Sequence, residues 1–264
     1  MSDRLLESIA FYPFDIFAPW PELTAGAFGR SGGVSPAPYD SLNISYAVQD
    51  DPERVRTNRE LMARAVGWDP GRIVACRQVH GTHVVAATSE MAGGPELQGV
   101  DALVTNEPGI LLMLKFADCV PIVLWDPVRR VVAVVHAGWR GTVARVPAAA
   151  LHFMVTQYGS EPSDVRAGIG PSIGPCCYQV GQEVATKAEQ VFTGTGVVSP
   201  GPDGTPHFDL WSANAETLMR SGVAEENVAI SRICTRCRSD LFFSHRALGS
   251  PSGRFAMVGG IRDV

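Results

Sequence analysis

No apolar run in the chain reaches the roughly 18–20 residues that a membrane-spanning helix needs. The longest, Ile110–Leu114, Val120–Trp125 and Val131–Val135, are strand-sized and are broken by Lys115, Asp118 and Asp126. Basic runs are missing as well. Lys plus Arg number 22 against 27 Asp plus Glu, a net charge of −5 with His neutral, which argues against a nucleic-acid partner. The chain starts with Asp3, Arg4 and Glu7, then Pro13, Asp15 and Pro19. It lacks the basic start, apolar core and small-residue cleavage site of a secretory leader. The six cysteines are therefore expected to be thiols, metal ligands or nucleophiles of a cytoplasmic protein, not a disulfide framework. No internal repeat or low-complexity segment is visible. The Gly168–Tyr178 stretch, with its two prolines and its spacing, matches neither GxGxxG nor a P-loop.

What remains is an ordinary globular composition: 264 residues, 45% hydrophobic and 19% charged, enough to bury a sizeable core. The first forty residues are irregular and rich in Gly and Pro. Asp51-Pro-Glu-Arg opens a helix to about Val66, with Pro in the first turn and Gly67 as its stop. Ile73–Gln78 and His83–Ala87 read as two strands around the polar turn Val79-His-Gly-Thr82. Asp101–Thr105, Gly109–Phe116, Val120–Trp125 and Arg130–His136 are near-continuous apolar strands, the pattern of a sheet buried on both faces. One helix face follows from Val143 to Val155, ending near Gly159, and further helices are predicted at Gly181–Phe192 and Asp209–Ser221. Val165–Gly168, Val228–Ile233 and Phe255–Gly259 complete the strands. Strands and helices interleave without a strict βαβ rhythm, so the predicted class is α+β: a mixed β-sheet flanked by helices, in a single domain spanning residues 1–264.

Chemistry concentrates around Cys119. It sits between two apolar strands, after Asp118 and two residues before Pro121, where a break in the ladder opens a cleft. A hairpin closed by Asp126–Arg129 sets position 119 nearly opposite His136, at the end of the next strand. His80 ends a strand of its own and completes the cluster. Two imidazoles and a thiolate make a three-ligand set for Zn²⁺ with one position open. A second reading is a thiol nucleophile, Cys119 activated by His136 or His80. The bland alternative is a small buried thiol beside ordinary histidines.

Arg140, in a Gly-flanked turn, and Arg77, three residues before His80, are candidates for an anion site, with solvated arginines as the plain alternative. Cys234-Thr-Arg-Cys237 has the spacing of half a zinc site but needs a partner, and the adjacent Cys176 and Cys177 look poorly placed to chelate one ion together. Plain reduced thiols are the expectation for these four, with a redox pair at Cys234 and Cys237 or a four-cysteine structural zinc as the alternatives. His83, His152, His207 and His245 have no matching neighbours.

At these positions the chain resembles a bacterial family once named multicopper polyphenol oxidase or laccase-like. The same family is also called peptidoglycan editing factor, or purine nucleoside phosphorylase of the laccase-domain type. The carriers are Arg77-Gln-Val-His-Gly81, Asp101-Ala-Leu-Val-Thr105, Ala117-Asp-Cys-Val-Pro121, His136-Ala-Gly-Trp-Arg-Gly141, Gly170-Pro-Ser-Ile-Gly-Pro-Cys-Cys-Tyr178 and Asp240-Leu-Phe-Phe-Ser-His-Arg246. The resemblance implies a three-layer α/β sandwich and zinc on His80, Cys119 and His136. It also implies phosphorolysis of adenosine, inosine and methylthioadenosine to the free base and ribose 1-phosphate, with adenosine deamination as a second activity. Asn43, Arg77 and Arg140 match polar positions around that pocket, and Asp118 is the carboxylate expected to orient a histidine ligand. The departures are Arg77 for a usual Lys, Lys115-Phe116 for a small or Thr position, Ser172 for a frequent Cys, and a Gly259-Gly-Ile-Arg ending. They touch substrate preference and leave the trio intact. Copper is the alternative metal, as in a polyphenol oxidase, but six histidines are few for a multicopper arrangement. Two rival functions are a Cys119 hydrolase editing a cell-wall peptide precursor and a non-enzymatic binder of metal or nucleoside. A purine nucleoside and phosphate are the expected partners, with a monomer as the default.

Overall fold

The computed structural model describes residues 6–263, so Asp3 and Arg4 lie outside the described part. Strands are numbered along the chain. One six-stranded sheet has the order β1 (Phe11–Pro13), β2 (Leu23–Phe28), β14 (Phe255–Ile261), β7 (Leu111–Phe116), β3 (Ile73–Arg77), β5 (Leu97–Gln98). The other has the order β13 (Val228–Ile230), β10 (Arg166–Ile169), β8 (Val120–Asp126), β9 (Val131–Ala137), β6 (Ala102–Thr105), β4 (Val84–Ala86). Both are mixed, for example parallel at β3/β7 and β4/β6 but antiparallel at β7/β14 and β8/β9. A small ribbon of β11 (Val198–Pro200) and β12 (Pro206–Phe208) stands apart. The helices are α1 (Pro52–Ala65), α2 (Trp139–Val143), α3 (Val146–Tyr158), α4 (Gln182–Val191), α5 (Leu210–Arg220) and the short α6 (His245–Leu248).

The α+β class is as expected, with one addition: the mixed sheet is a pair of sheets packed face to face, so a fourth layer joins the sandwich. Strand periodicity explains the packing, because successive side chains point to opposite faces. In β7, Leu112 and Leu114 enter the core between the sheets, while Leu111 and Met113 pack under Leu61 and Met62 of α1. In β8, Val123 and Trp125 face the inter-sheet core, and Ile122 and Leu124 face Val146, Ala150 and Met154 of α3. Each strand feeds two cores, and this is why its sequence is apolar without alternation. Every such Leu, Ile or Val contributes roughly 1.5–3 kcal/mol by leaving water. Gly259 lets the two sheets approach closely, since a Cβ there would stand 2.8 Å from Val134 Cγ2.

Helix boundaries follow local chemistry. Asp51 caps α1 by accepting from Glu53 N, and Asp209 caps α5 by accepting from Ser212 N. The single helix predicted across Val143–Val155 is two: Arg145 adopts φ 61° and Pro147 follows in the first turn of α3, so α2 ends and α3 starts afresh.

Two connections cross between the sheets, the first of them where the sequence suggested a simple turn between two strands. β3 and β4 do not pair; residues 78–83 carry the chain from one sheet to the other. Residues 117–119 do the same between β7 and β8, through Asp118 at φ 85°. The β8/β9 hairpin forms, but its register differs by two residues from the expected one: His136 is opposite Pro121, and Asp126 pairs with Val131. The turn is Pro127–Arg130, fixed by Asp126 Oδ1 accepting from Val128 N and Arg129 N and by Arg130 at φ 52°. A slip of two leaves every side chain on its face. His136 therefore still points to the side where Cys119 emerges.

Candidate metal centre

The two sheet-to-sheet crossings and the end of β9 meet at one place. His80 lies on the first crossing, Cys119 on the second, and His136 one residue before the end of β9; their ligand atoms lie within 4.8 Å of one another. The two imidazoles meet edge to face, with centroids 4.8 Å apart. Gly138 backs the cluster: a Cβ at this position would stand 2.7 Å from His80 Cδ2 and 3.0 Å from Cys119 Sγ. Glycine is thus required by space rather than by φ, which is −69°.

The carboxylate that organises the trio is Asp101, not Asp118. Asp101 is fully buried. Its Oδ1 accepts from His80 N at 2.9 Å and from His136 Nδ1 at 2.9 Å, and its Oδ2 accepts from Gly81 N at 2.7 Å. Its backbone carbonyl also accepts from His136 N. One residue therefore fixes the backbone of the first histidine in its left-handed conformation (φ 63°) and the ring of the second, leaving Nε2 of His136 for a ligand bond. Burial would raise the Asp101 pKa, but bonding from His136 and Gly81 outweighs it and holds the carboxyl below its usual range. Asp118 instead accepts from Thr235 Oγ1 (2.7 Å) and Arg246 N (2.6 Å), tying the second crossing to two later loops.

Charges within the trio reinforce each other. Burial pushes the Cys119 thiol up, yet the His136 imidazolium and hydrogen bonds from His136 and His80 bring it down to about 6. Burial pushes His136 down, yet the Cys119 thiolate and the Asp101 carboxylate raise it to about 9. Without a metal, the pair is a thiolate and an imidazolium near neutrality. In chelator-treated protein, iodoacetamide labelling of the Cys119 peptide, followed by mass, is expected to be half-maximal near pH 6. The thiolate persists above that pH and is lost below it; an isolated thiol would titrate at about 8.5. A midpoint at 8 or higher would mean that the ion pair does not form.

The trio opens onto a pocket of about 550 Å³, within the roughly 300–1,000 Å³ typical of small-molecule sites. Arg77, Lys115, Arg246 and Arg254 give it a cationic wall, and Ile173 and Tyr178 give it an apolar one. Lys115 is paired with Glu96 at 2.7 Å, and Arg254 is spent on Ser252 and the Gly253 carbonyl. The Arg77 guanidinium makes no hydrogen bond or ion pair among the described residues, and it is exposed toward the pocket.

Two expected substrate residues stand elsewhere. Asn43 is fully buried, with its amide committed to Asp50, Ser45 and the Arg254 backbone; it braces two pocket residues rather than lining the pocket. Arg140 stacks over the Trp139 ring at 4.4 Å and does not line the pocket, although its charge reaches Tyr178. Asp101 is visible in the sequence only as the first residue of a strand motif. Of the remaining histidines, His83 and His207 hydrogen-bond backbone carbonyls. Cys176, Cys177, Cys234 and Cys237, expected as separate thiols, converge with their sulfurs within 4.8 Å of one another.

The family model described as multi-copper polyphenol oxidoreductase laccase matches residues 24–262. A Geobacillus stearothermophilus protein named purine nucleoside phosphorylase YlmD is 36% identical over 256 residues, covering 93% of this chain and 92% of that protein. A protein of an unknown prokaryotic organism named adenosine deaminase RL5 is 39% identical over 224 residues, covering 82% and 85%. The crystal structure of YlmD from Geobacillus stearothermophilus superposes with a TM-score of 0.89 at 35% identity, covering 93% of this chain and 94% of that one.

Proposed function

The chain belongs to the multi-copper polyphenol oxidoreductase laccase family, and from that premise we propose that it is a zinc-dependent enzyme of purine nucleosides. Its main reaction is phosphorolysis of adenosine, inosine or methylthioadenosine to the free base and ribose 1-phosphate, with adenosine deamination as a second activity. The observation that carries this reading is the trio itself: two imidazoles and one thiolate around a single point, facing a pocket with a free guanidinium. The names of the relatives supply the substrate class.

The donors suit zinc. Two nitrogens and one sulfur within 4.8 Å match ligand bonds of about 2.0–2.3 Å to one tetrahedral ion, with the fourth position left to the pocket. They do not suit several coppers. Among the described residues, the only other group of three or more donors is the four cysteines, and just two histidines belong to either group. When bound, zinc would supply Lewis-acid chemistry at the pocket floor.

The chain's own residues do the rest. Arg77 holds phosphate by its guanidinium, and Arg246 adds charge from α6. A phosphate oxygen bonds to C1′ as the C1′–N9 bond breaks; the bonding pair stays on N9, which takes the proton that hydrogen phosphate gives up. Positive charge developing on the ribose is met by the phosphate that Arg77 positions. Tyr178 and Ile173 offer the apolar surface for the base. Arg140 contributes from outside the pocket by its field, and Asn43 by fixing Ser45 and Arg254.

Zinc-loaded protein incubated with adenosine, with and without phosphate, tests the proposal by chromatography. Adenine with ribose 1-phosphate is expected only with phosphate, and inosine with or without it. No product from protein holding a full trio would overturn the reading. The thiolate–imidazolium pair favours one rival, a Cys119 hydrolase of a cell-wall peptide precursor. That enzyme would keep its activity under chelation and lose it to iodoacetamide.

A further inference from the structure

Besides Cys119 and the buried Cys76, the chain has four cysteines, on two loops that the proposed reaction does not use. Cys176 and Cys177 follow β10, and Cys234 and Cys237 follow β13. The sulfurs of Cys176 and Cys177 are 3.7 Å apart, those of Cys176 and Cys237 3.8 Å, and those of Cys177 and Cys237 3.4 Å. Cys234 joins them within 4.8 Å. A tetrahedral ion with metal–sulfur bonds of about 2.3 Å sets its sulfurs about 3.8 Å apart. The three separations are close to that edge.

We propose that Cys176, Cys177, Cys234 and Cys237 form a tetrathiolate site for a second zinc ion, structural and separate from the trio.

Four further observations support it. The backbone is arranged for a sulfur with negative charge: Gly174 N donates to Cys234 Sγ at 3.3 Å, and the Cys237 amide also favours a thiolate there. Four thiolates around a divalent cation carry a net charge of −2; Arg232 precedes the Cys234–Cys237 pair and Arg236 lies within it. The donor count also differs from that of the trio. Four sulfurs close the coordination sphere, as in structural zinc sites, whereas three donors leave a position for chemistry. Cys176 and Cys237 are exposed, so an ion can enter from solvent, and the four thiol protons leave to solvent as it binds.

The loops already touch. Ser172 N donates to the Ile233 carbonyl, and Thr235 N donates to the Ser172 carbonyl. The same two loops carry Ile173 and Tyr178 into the pocket wall and bring the Thr235 hydroxyl to Asp118, the neighbour of Cys119. An ion on the four sulfurs cross-links residues 176 and 237 and so fixes that wall.

The test titrates Co²⁺ into metal-stripped, reduced protein, watching the thiolate charge-transfer and tetrahedral d–d bands. Wild type is expected to bind two ions per chain. Cys119→Ala should bind one and keep the tetrathiolate spectrum. Cys237→Ser should also bind one, losing that spectrum and retaining the ion of the trio. A single ion in wild type, absent from Cys119→Ala, would overturn the proposal. A second readout on unaltered protein guards against a misfolded variant. In zinc-loaded wild type, the four sulfurs should react with a disulfide reagent far more slowly than after chelation. Equal rates, or a mass two hydrogens lighter from a Cys177–Cys237 disulfide, would also overturn it.

Discussion

Alanine in place of Cys119 is expected to empty the trio and to lower turnover of adenosine by on the order of 10³-fold or more. The thiolate is the only anionic donor in the set, and two imidazoles alone hold zinc weakly. The substitution also removes the charge that keeps His136 protonated. Burial, which pushes its pKa down, then competes only with the Asp101 carboxylate. The fold should survive, because the side chain deleted is small and only half-buried, worth about 1 kcal/mol on the scale of one buried methylene. Metal content per chain, turnover and unfolding temperature measured on one preparation separate these effects. A variant free of trio metal yet fully active would end the zinc reading. Restoration of chelated wild type by added zinc would exclude the thiol-hydrolase rival, which needs the same cysteine but no ion.

The trio is legible in the sequence because the residues themselves carry the chemistry: a cysteine and two histidines at strand ends survive errors in how the strands pair. The β8/β9 register differs from expectation by two residues, and even so His136 keeps its side, since the side-chain period of a strand is two. The pairing of β3 and β4 is not legible. A polar segment such as Val79-His-Gly-Thr82 looks the same whether it closes a hairpin or crosses between sheets. The decision rests on Asp101, about twenty residues later, whose carboxylate gathers the amides of residues 80 and 81. Two sheets rather than one are hidden for a related reason. A strand buried on both faces has no polar side to say whether its neighbour is a helix or another sheet. The four-cysteine cluster depends on two loops some sixty residues apart being sewn together through Ser172, Ile233 and Thr235, contacts with no local signature. Asn43 and Arg140 show the converse limit, since polar type and position in a motif do not say which way a side chain points.

Asparagine at position 101 is expected to weaken zinc binding 10- to 100-fold or more and to cost about 2–4 kcal/mol of stability. The change is isosteric, so its effect comes from hydrogen-bond polarity alone. The carboxylate faces only donors: Oδ1 meets His80 N and His136 Nδ1, and Oδ2 meets Gly81 N. An amide has one acceptor and one donor. With its nitrogen in the Oδ2 place, the NH₂ group confronts the Gly81 amide in a fully buried pocket, and neither donor can be satisfied. With the nitrogen in the Oδ1 place, the His80 amide loses its partner and His136 Nδ1 must become an acceptor. The ring proton then sits on Nε2, where the metal should be. Either rotamer damages one histidine, the first through its backbone and the second through its tautomer. Competition against a zinc-chelating dye reads the affinity, and urea unfolding of metal-free protein reads the stability. The comparison that decides the assignment is Asp118→Asn. Asp118 touches neither imidazole and bonds to Thr235 and Arg246, so its variant should keep zinc affinity within about twofold. If Asp118→Asn lost the ion while Asp101→Asn retained it, the orienting carboxylate would be the one beside the cysteine after all.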